Sequence, residues 1–195
     1  MTTTKTEARR QSVLDAAQSL LVEAGGAALT MRKVSDRAGI SLGNLQYHFP
    51  KRENLLTALL QRFLSRYEQE LESLDLVPSG SLQNDLEAIF LRILQSPDFE
   101  VACTFFMEIW AASNQSRELQ QELAAYYHRY TEVYRRILVA LTDGRAAASS
   151  INQAISVALP MIEGHCATRA AQVVTDEDLA KDWARMFAAS LRSNL

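Results

Sequence analysis

The sequence is poor in the residues that interrupt helices. Seven glycines and four prolines among 195 residues are about half the usual combined share of roughly 12%. That is too little turn chemistry for a β-sandwich, and disordered chains are richer in both residues. Cys103 and Cys166 are the only cysteines, too few for a disulfide scaffold, and both fall in apolar helical stretches that suit inert thiols. Apolar runs such as Val101 to Met107 are short, whereas a membrane span needs about 20 apolar residues. The first ten residues are polar and contain no apolar signal core. Catalytic constellations are missing as well. There is no HExxH, no CxxC and no Glu-x-x-His pair to hold zinc or a di-iron centre, and no glycine-rich phosphate loop. His165 and Cys166 are adjacent, so on a helix they point about 100° apart and cannot form a dyad. The expectation is a cytoplasmic, all-helical protein with no membrane association, no catalytic residue, no metal and no cofactor. A helical-bundle enzyme is the least favoured reading.

Charge is present but unevenly placed. The chain as a whole carries −3. Residues 1–60 hold eight Lys and Arg against five acids, giving +3, and residues 61–195 hold the remaining charges and sum to −6. Halves of opposite sign suggest two tasks in one chain.

Helical periodicity covers almost the whole length. From Glu7 to Ala24, the residues Val13, Ala16, Ala17, Leu20, Leu21 and Ala24 recur at helical spacing until Gly25 and Gly26 stop the run. Thr30 is a fitting cap for a short helix over Met31–Ala38, and Ser41 for another over Leu42–Tyr47. Pro50 blocks its continuation. A helix over Lys51–Ser73 follows, about 33 Å long, with Leu55, Leu56, Leu59, Leu60, Phe63, Leu64, Tyr67 and Leu71 on one broad face. After the Pro78-Ser79-Gly80 loop, helices are expected over 81–95, 98–114, 116–142, 146–171 and 176–193. No segment alternates with period two for long enough to be a strand. The pattern predicts an all-α fold of about nine helices, with residues 1–54 forming a three-helix unit and residues 55–195 a second helical domain.

The informative stretch runs from Thr30 to Leu55. Ala38-Gly39-Ile40-Ser41 supplies a glycine to reverse the chain, an apolar plug and a cap for the next helix. That is the construction of a helix-turn-helix, here over residues 30–49, whose second helix enters the DNA major groove. Leu45 and Phe49 point inward at i, i+4. The outer face offers Leu42, Gly43, Asn44, Gln46, Tyr47 and His48. Asn44 and Gln46 can pair with adenine, and Leu42 can touch a thymine methyl. Arg32, Lys33, Lys51 and Arg52 flank this face and suit phosphates.

In these residues the chain resembles the tetracycline-repressor family of bacterial transcription regulators. Ala38, Gly39, Ile40, Ser41, Gly43, Leu45, His48, Phe49, Glu53 and Leu55 stand in register with the family pattern. Gln46 stands where the family usually has tyrosine, Lys51 where it has serine or asparagine, and Arg52 where it has lysine. The specific likeness covers residues 10–60. It implies a dimer that occludes a palindromic double-stranded DNA operator and is released by a small-molecule effector. Thr30, Arg32, Lys33, Tyr47, His48 and Arg52 would then touch phosphates, with Ser41 opening the recognition helix. Leu42, Gly43, Asn44 and Gln46 would face bases.

For the second half, the resemblance implies a homodimer and an effector pocket. Stripes of Ile151, Ile155, Leu159 and Ile162, and of Leu179, Trp183, Met186 and Phe187, are the candidate dimer seam. The competing reading is that they form the core of one chain. Phe90, Phe106, Glu108, Trp110, Tyr127, Tyr130, Met161 and His165 are the candidate pocket. Aromatic faces with Glu108 or Glu163 suit a cationic ligand. A helix-turn-helix dimer without any small-molecule effector is the alternative.

Overall fold

The computed structural model describes residues 2–72 and 78–192. Ser73 and Ser193, the expected ends of two helices, and the side chain of Leu71 lie outside what is described. Among the described residues there are nine α-helices and no strand: α1 (Thr2–Ala24), α2 (Met31–Arg37), α3 (Leu42–His48), α4 (Arg52–Glu72), α5 (Leu82–Leu94), α6 (Phe99–Ser113), α7 (Arg117–Leu141), α8 (Ala148–Thr168) and α9 (Asp176–Arg192). Every helix anticipated from periodicity is present. The main difference is α1, which starts at Thr2 rather than Glu7 because its first turns are polar and carry no apolar signal. At the other end, residues 169–171 tighten into a 3₁₀ turn instead of extending α8. No helix among the described residues is long and apolar enough to cross a membrane.

The chain divides into two compact units. The first comprises residues 1–66 and 101–126, and the second residues 67–100 and 127–195. The division passes through α4, α6 and α7, each of which contributes to both units. The functional boundary expected after residue 54 falls in the first turn of α4.

In the first unit, Val13, Ala17 and Leu21 of α1, Val34 of α2, Leu45 and Phe49 of the α3 end, and Leu55, Leu56 and Leu59 of α4 are buried. Deeper in, Phe63 of α4 stacks on Phe105 of α6, with ring centroids 4.8 Å apart. Cys103 is buried in α6 and is in the disulfide form, which corrects the expectation of an inert free thiol. On the surface, Arg37 of α2 grips Glu23 and Ser19 of α1. The hydrogen bonds from Arg37 and Ser19 hold the Glu23 carboxyl down at about 2.

In the second unit, α5 lies closely along α9. Phe90 of α5 sits between Trp183 and Phe187, with centroids 5.5 and 5.4 Å away. His165 of α8 packs on Trp183 and on Phe99. Pro160 interrupts the hydrogen-bond ladder of α8. Both it and Ser156, whose carbonyl loses its partner, are exposed, so water can replace the missing donor. Cys166 is also buried and not a free thiol.

Phe49 has 1% of its surface exposed and is among the largest fully buried side chains. Phe49→Ala should lower unfolding free energy by about 3–5 kcal/mol, measured by urea denaturation followed by circular dichroism.

Candidate nucleic-acid interface

Two short helices and the turn between them make this surface. Thr30 caps α2 by accepting the Lys33 N–H at 3.3 Å, and Ser41 caps α3 by accepting the Asn44 N–H at 3.2 Å. Between them Gly39 has φ +65°, a left-handed conformation that other residues adopt only at a cost. The Ile40 N–H donates to the Ser35 carbonyl at 3.0 Å and closes the turn. The hydroxyls of Thr30 and Ser41 thus serve as caps, the part of their expected role that is internal to the protein.

The inner and outer sides of α3 are sharply separated. Leu45 is fully buried, whereas Gly43, Asn44, Gln46 and Tyr47 are exposed and Leu42 is half-buried. Tyr47 has 80% of its surface in solvent. Its ring meets the edge of the His48 ring, with centroids 5.2 Å apart. His48 is half-buried. Its carbonyl accepts from Arg10 at 3.2 Å, and the Arg10 guanidinium lies 4.5 Å above the Phe49 ring. Arg10 therefore braces the end of α3 from α1, a role no sequence pattern signals. Arg32, Lys33 and Lys51 are exposed around the same surface. Arg32 also lies 3.6 Å from Asp36, an exposed pair worth little.

Arg52 requires a correction. Expected to point at phosphate, it is turned into the protein. It donates to the Leu29 carbonyl at 3.1 Å and to the Glu108 carboxylate on α6 at 2.9 Å. Both partners of this ion pair are about one-third exposed. Glu108, one of the expected pocket residues, is thus paired with Arg52. Gly26 completes the corner, since a Cβ there would overlap the Glu108 side chain. The Gly25-Gly26 pair looked in sequence like a helix stop alone.

The remaining expected residues separate into groups. Phe106, Glu108 and Trp110 belong to the first unit, where Phe106 contacts Trp110 and Tyr126. Phe90, Tyr127, Tyr130, Met161 and His165 belong to the second. There Phe90 and His165 are packed around Trp183 as core, while Tyr130 joins Tyr67 and Tyr134. Most residues of the expected dimer seam lie inside the single chain. Ile151, Ile155, Ile162, Trp183 and Phe187 are buried within a single chain, because α8 and α5 pack on α9. Leu159 and Leu179 are half-buried, and Met186 alone of the set is exposed, at 58%. Among the described residues no cluster of three or more His, Cys, Asp or Glu could hold a metal ion.

Two groups in the second unit have displaced protonation. Burial pushes the Glu163 carboxyl up to about 7, against a smaller opposing effect of a hydrogen bond from Tyr127. Burial also lowers His165, opposed by the nearby charge of Asp176.

Residues 13–59 match the family model for bacterial regulatory proteins of the tetR family. Along nearly its whole length the chain is similar to an uncharacterized HTH-type transcriptional regulator in the dhlA 5′ region of Xanthobacter autotrophicus. The two are 28% identical over 190 residues, covering 96% of this chain and 93% of that protein. It is also 41% identical over 56 residues to the HTH-type transcriptional repressor KstR2 of Rhodococcus jostii, covering 29% of this chain and 28% of the repressor. Solved structures share the fold. A TetR-family regulator from Mesorhizobium loti superposes with a TM-score of 0.75 at 17% identity, over 94% of this chain and 96% of that one. FadR of Bacillus subtilis, solved with stearoyl-CoA, gives 0.71 at 17% identity, over 92% and 98%.

Because Arg52 joins the Leu29 carbonyl to Glu108, Arg52→Ala should destabilise the protein by about 1–3 kcal/mol. Gly26→Ala should cost less when combined with Glu108→Ala than alone, a coupling that a double-mutant cycle of melting temperatures checks. Glu163 supplies a pH test. Its folded pKa is raised, so its stabilising contribution is complete below its ordinary value near 4.5 and is lost as pH rises through about 7. Glu163→Gln should therefore match the parent near pH 4 and melt higher than the parent at pH 8.

Proposed function

We propose that the chain is a transcriptional regulator of the tetR family and, from that premise, that it is a cytoplasmic homodimeric repressor. Residues 1–54 read a palindromic operator, and residues 55–195 dimerise and bind a small-molecule effector. The observation that carries this reading is α3. Its inner side is locked by Leu45 and Phe49, while Asn44, Gln46 and Tyr47 stand in solvent. Polar amides on a rigid, outward-facing helix are what direct base readout requires. Lys33, Lys51 and Arg32 grip phosphate, and Lys51 rather than Arg52 holds the corner beside the recognition helix.

A dimer places two recognition helices about 34 Å apart, or a multiple of that. The face of α8 and α9 left open suits a second copy. Val157 and Met186 are 50% and 58% exposed, with Pro160 and Gly164 exposed beside Val157 on α8. Small and apolar groups of this kind permit close helix packing. An effector acts by preferring the state that does not bind DNA. The Glu108–Arg52–Leu29 corner supplies a route, because a shift of α6 is felt at the carbonyl just before Thr30, the cap of α2. A regulator of this fold that holds stearoyl-CoA supports the view that the helical half accepts small molecules.

Selection of bound sites from random duplex DNA should enrich a palindrome. Failure to enrich any site at low salt by a folded dimer would overturn the reading. Gln46→Ala should change the selected sequence and cost about 1–3 kcal/mol at one base pair. Lys51→Ala should weaken all sites alike and flatten the salt dependence by roughly one unit of slope per subunit. Arg52→Ala should leave that slope unchanged.

A further inference from the structure

α1 is joined to each of α2, α3 and α4 by one arginine. Arg37 of α2 reaches Ser19 and Glu23, and Arg62 of α4 reaches Asp15. The third link runs the other way. Arg10 of α1 donates to the His48 carbonyl at the end of α3, 3.2 Å away, and lays its guanidinium 4.5 Å above the Phe49 ring. The links fall in order along α1, so that α3, α4 and α2 are each fastened at a different position on one long helix.

The link to α3 differs from the other two in its partners. Arg37 and Arg62 each meet a carboxylate, whereas among the described residues no acid pairs with Arg10. Its edge is taken up by a carbonyl of the last turn of α3, which has no partner inside that helix, and its face by a buried ring. Among the described residues no other hydrogen bond joins residues 42–49 to another helix. A pivot of about 10° around Ser41 carries the backbone at Gln46 by about 1 Å, beyond the roughly 0.5 Å within which a recognition side chain must be held. Phosphate contacts tolerate such a shift, since Lys33 and Lys51 carry their charges on long flexible stems.

We propose that Arg10 is a positioning residue for DNA reading: by gripping the His48 carbonyl and the Phe49 ring it sets the direction of the outer face of α3, and it does not itself hold phosphate. This rests on the reading that Asn44 and Gln46 meet base edges. Loss of Arg10 then costs discrimination between the operator and other DNA, and leaves the general attraction to duplex in place. A brace that served stability alone would lower the melting temperature and leave the discrimination of the folded protein as it was.

The test uses the full-length protein with Arg10→Lys, which keeps the charge and loses the planar fork, and Arg10→Met, which keeps the stem and loses the charge. Affinity for the site selected from random duplex DNA, and for an unrelated duplex, is read by fluorescence anisotropy across salt concentrations, at a temperature where circular dichroism shows both variants folded. Both should weaken the selected site by about tenfold. Both should keep the unrelated duplex within about twofold of the parent and leave the salt slope unchanged. An unchanged ratio of the two affinities would overturn the assignment. So would a slope flattened by roughly one unit per subunit in Arg10→Met and preserved in Arg10→Lys, the pattern of a phosphate contact. Hydrogen exchange without DNA gives a second reading. The amides of residues 45–49 should exchange faster in Arg10→Met, while those at the centres of α1 and α4 keep the parent's rate. Equal exchange at 45–49 also overturns the assignment. If the parent selects no site, base readout by α3 is wrong, and the exchange rates then decide whether Arg10 holds the helix.

Discussion

The burial of Leu45 and Phe49 is the contact on which the rest depends. The helix they anchor, α3, has seven residues, and a helix that short does not persist alone in water. Its orientation comes from outside itself. Ser41 fixes its start, Phe49 seals its end, and Arg10 reaches from α1 to the His48 carbonyl and the face of the Phe49 ring. With these in place, Asn44, Gln46 and Tyr47 have one direction left, outward. A reading surface requires this, because a side chain that wanders by an ångström loses a bidentate contact.

Arg52 shows how position within a motif and role in the structure come apart. It stands beside the recognition helix and carries the charge that phosphate attracts. Yet Glu108, 56 residues away in sequence, and the Leu29 carbonyl offer it a partly buried pair of acceptors. A half-desolvated guanidinium gains more from a carboxylate at 2.9 Å than from solvent. The same contact engages Glu108, one of the expected pocket residues, and makes Gly26 a packing requirement. One ion pair thus bears on three positions. It also joins α6 to the segment ahead of α2.

In the second unit the aromatic residues have divided duties. Phe90, Trp183, Phe187 and His165 pack on one another as core, and their rings need no ligand. The tyrosines of α7 carry hydroxyls, and buried hydroxyls must find partners. The hydroxyls of Tyr67 and Tyr130 lie within hydrogen-bond distance of that of Tyr134, and Tyr127 bonds to Glu163.

Periodicity and local chemistry determined the helices, the caps at Thr30 and Ser41, the turn at Gly39 and the helix-turn-helix with its outward residues. These are short-range consequences of backbone hydrogen bonding and of a 3.6-residue repeat, so adjacent residues carry the whole signal. Periodicity could also say that Ile151, Ile155, Trp183 and Phe187 lie on buried stripes. It could not say whether the burying surface is another helix of the same chain or a second copy, because an apolar stripe looks the same in both cases. The packing of α5 and α8 on α9 decided that. Tertiary structure alone likewise decided that Arg52 meets Glu108, that Arg10 caps α3 and that Glu163 faces a tyrosine instead of a base. Each is a pairing between residues distant in sequence, and charge or polarity at one position does not name the partner that folding brings to it.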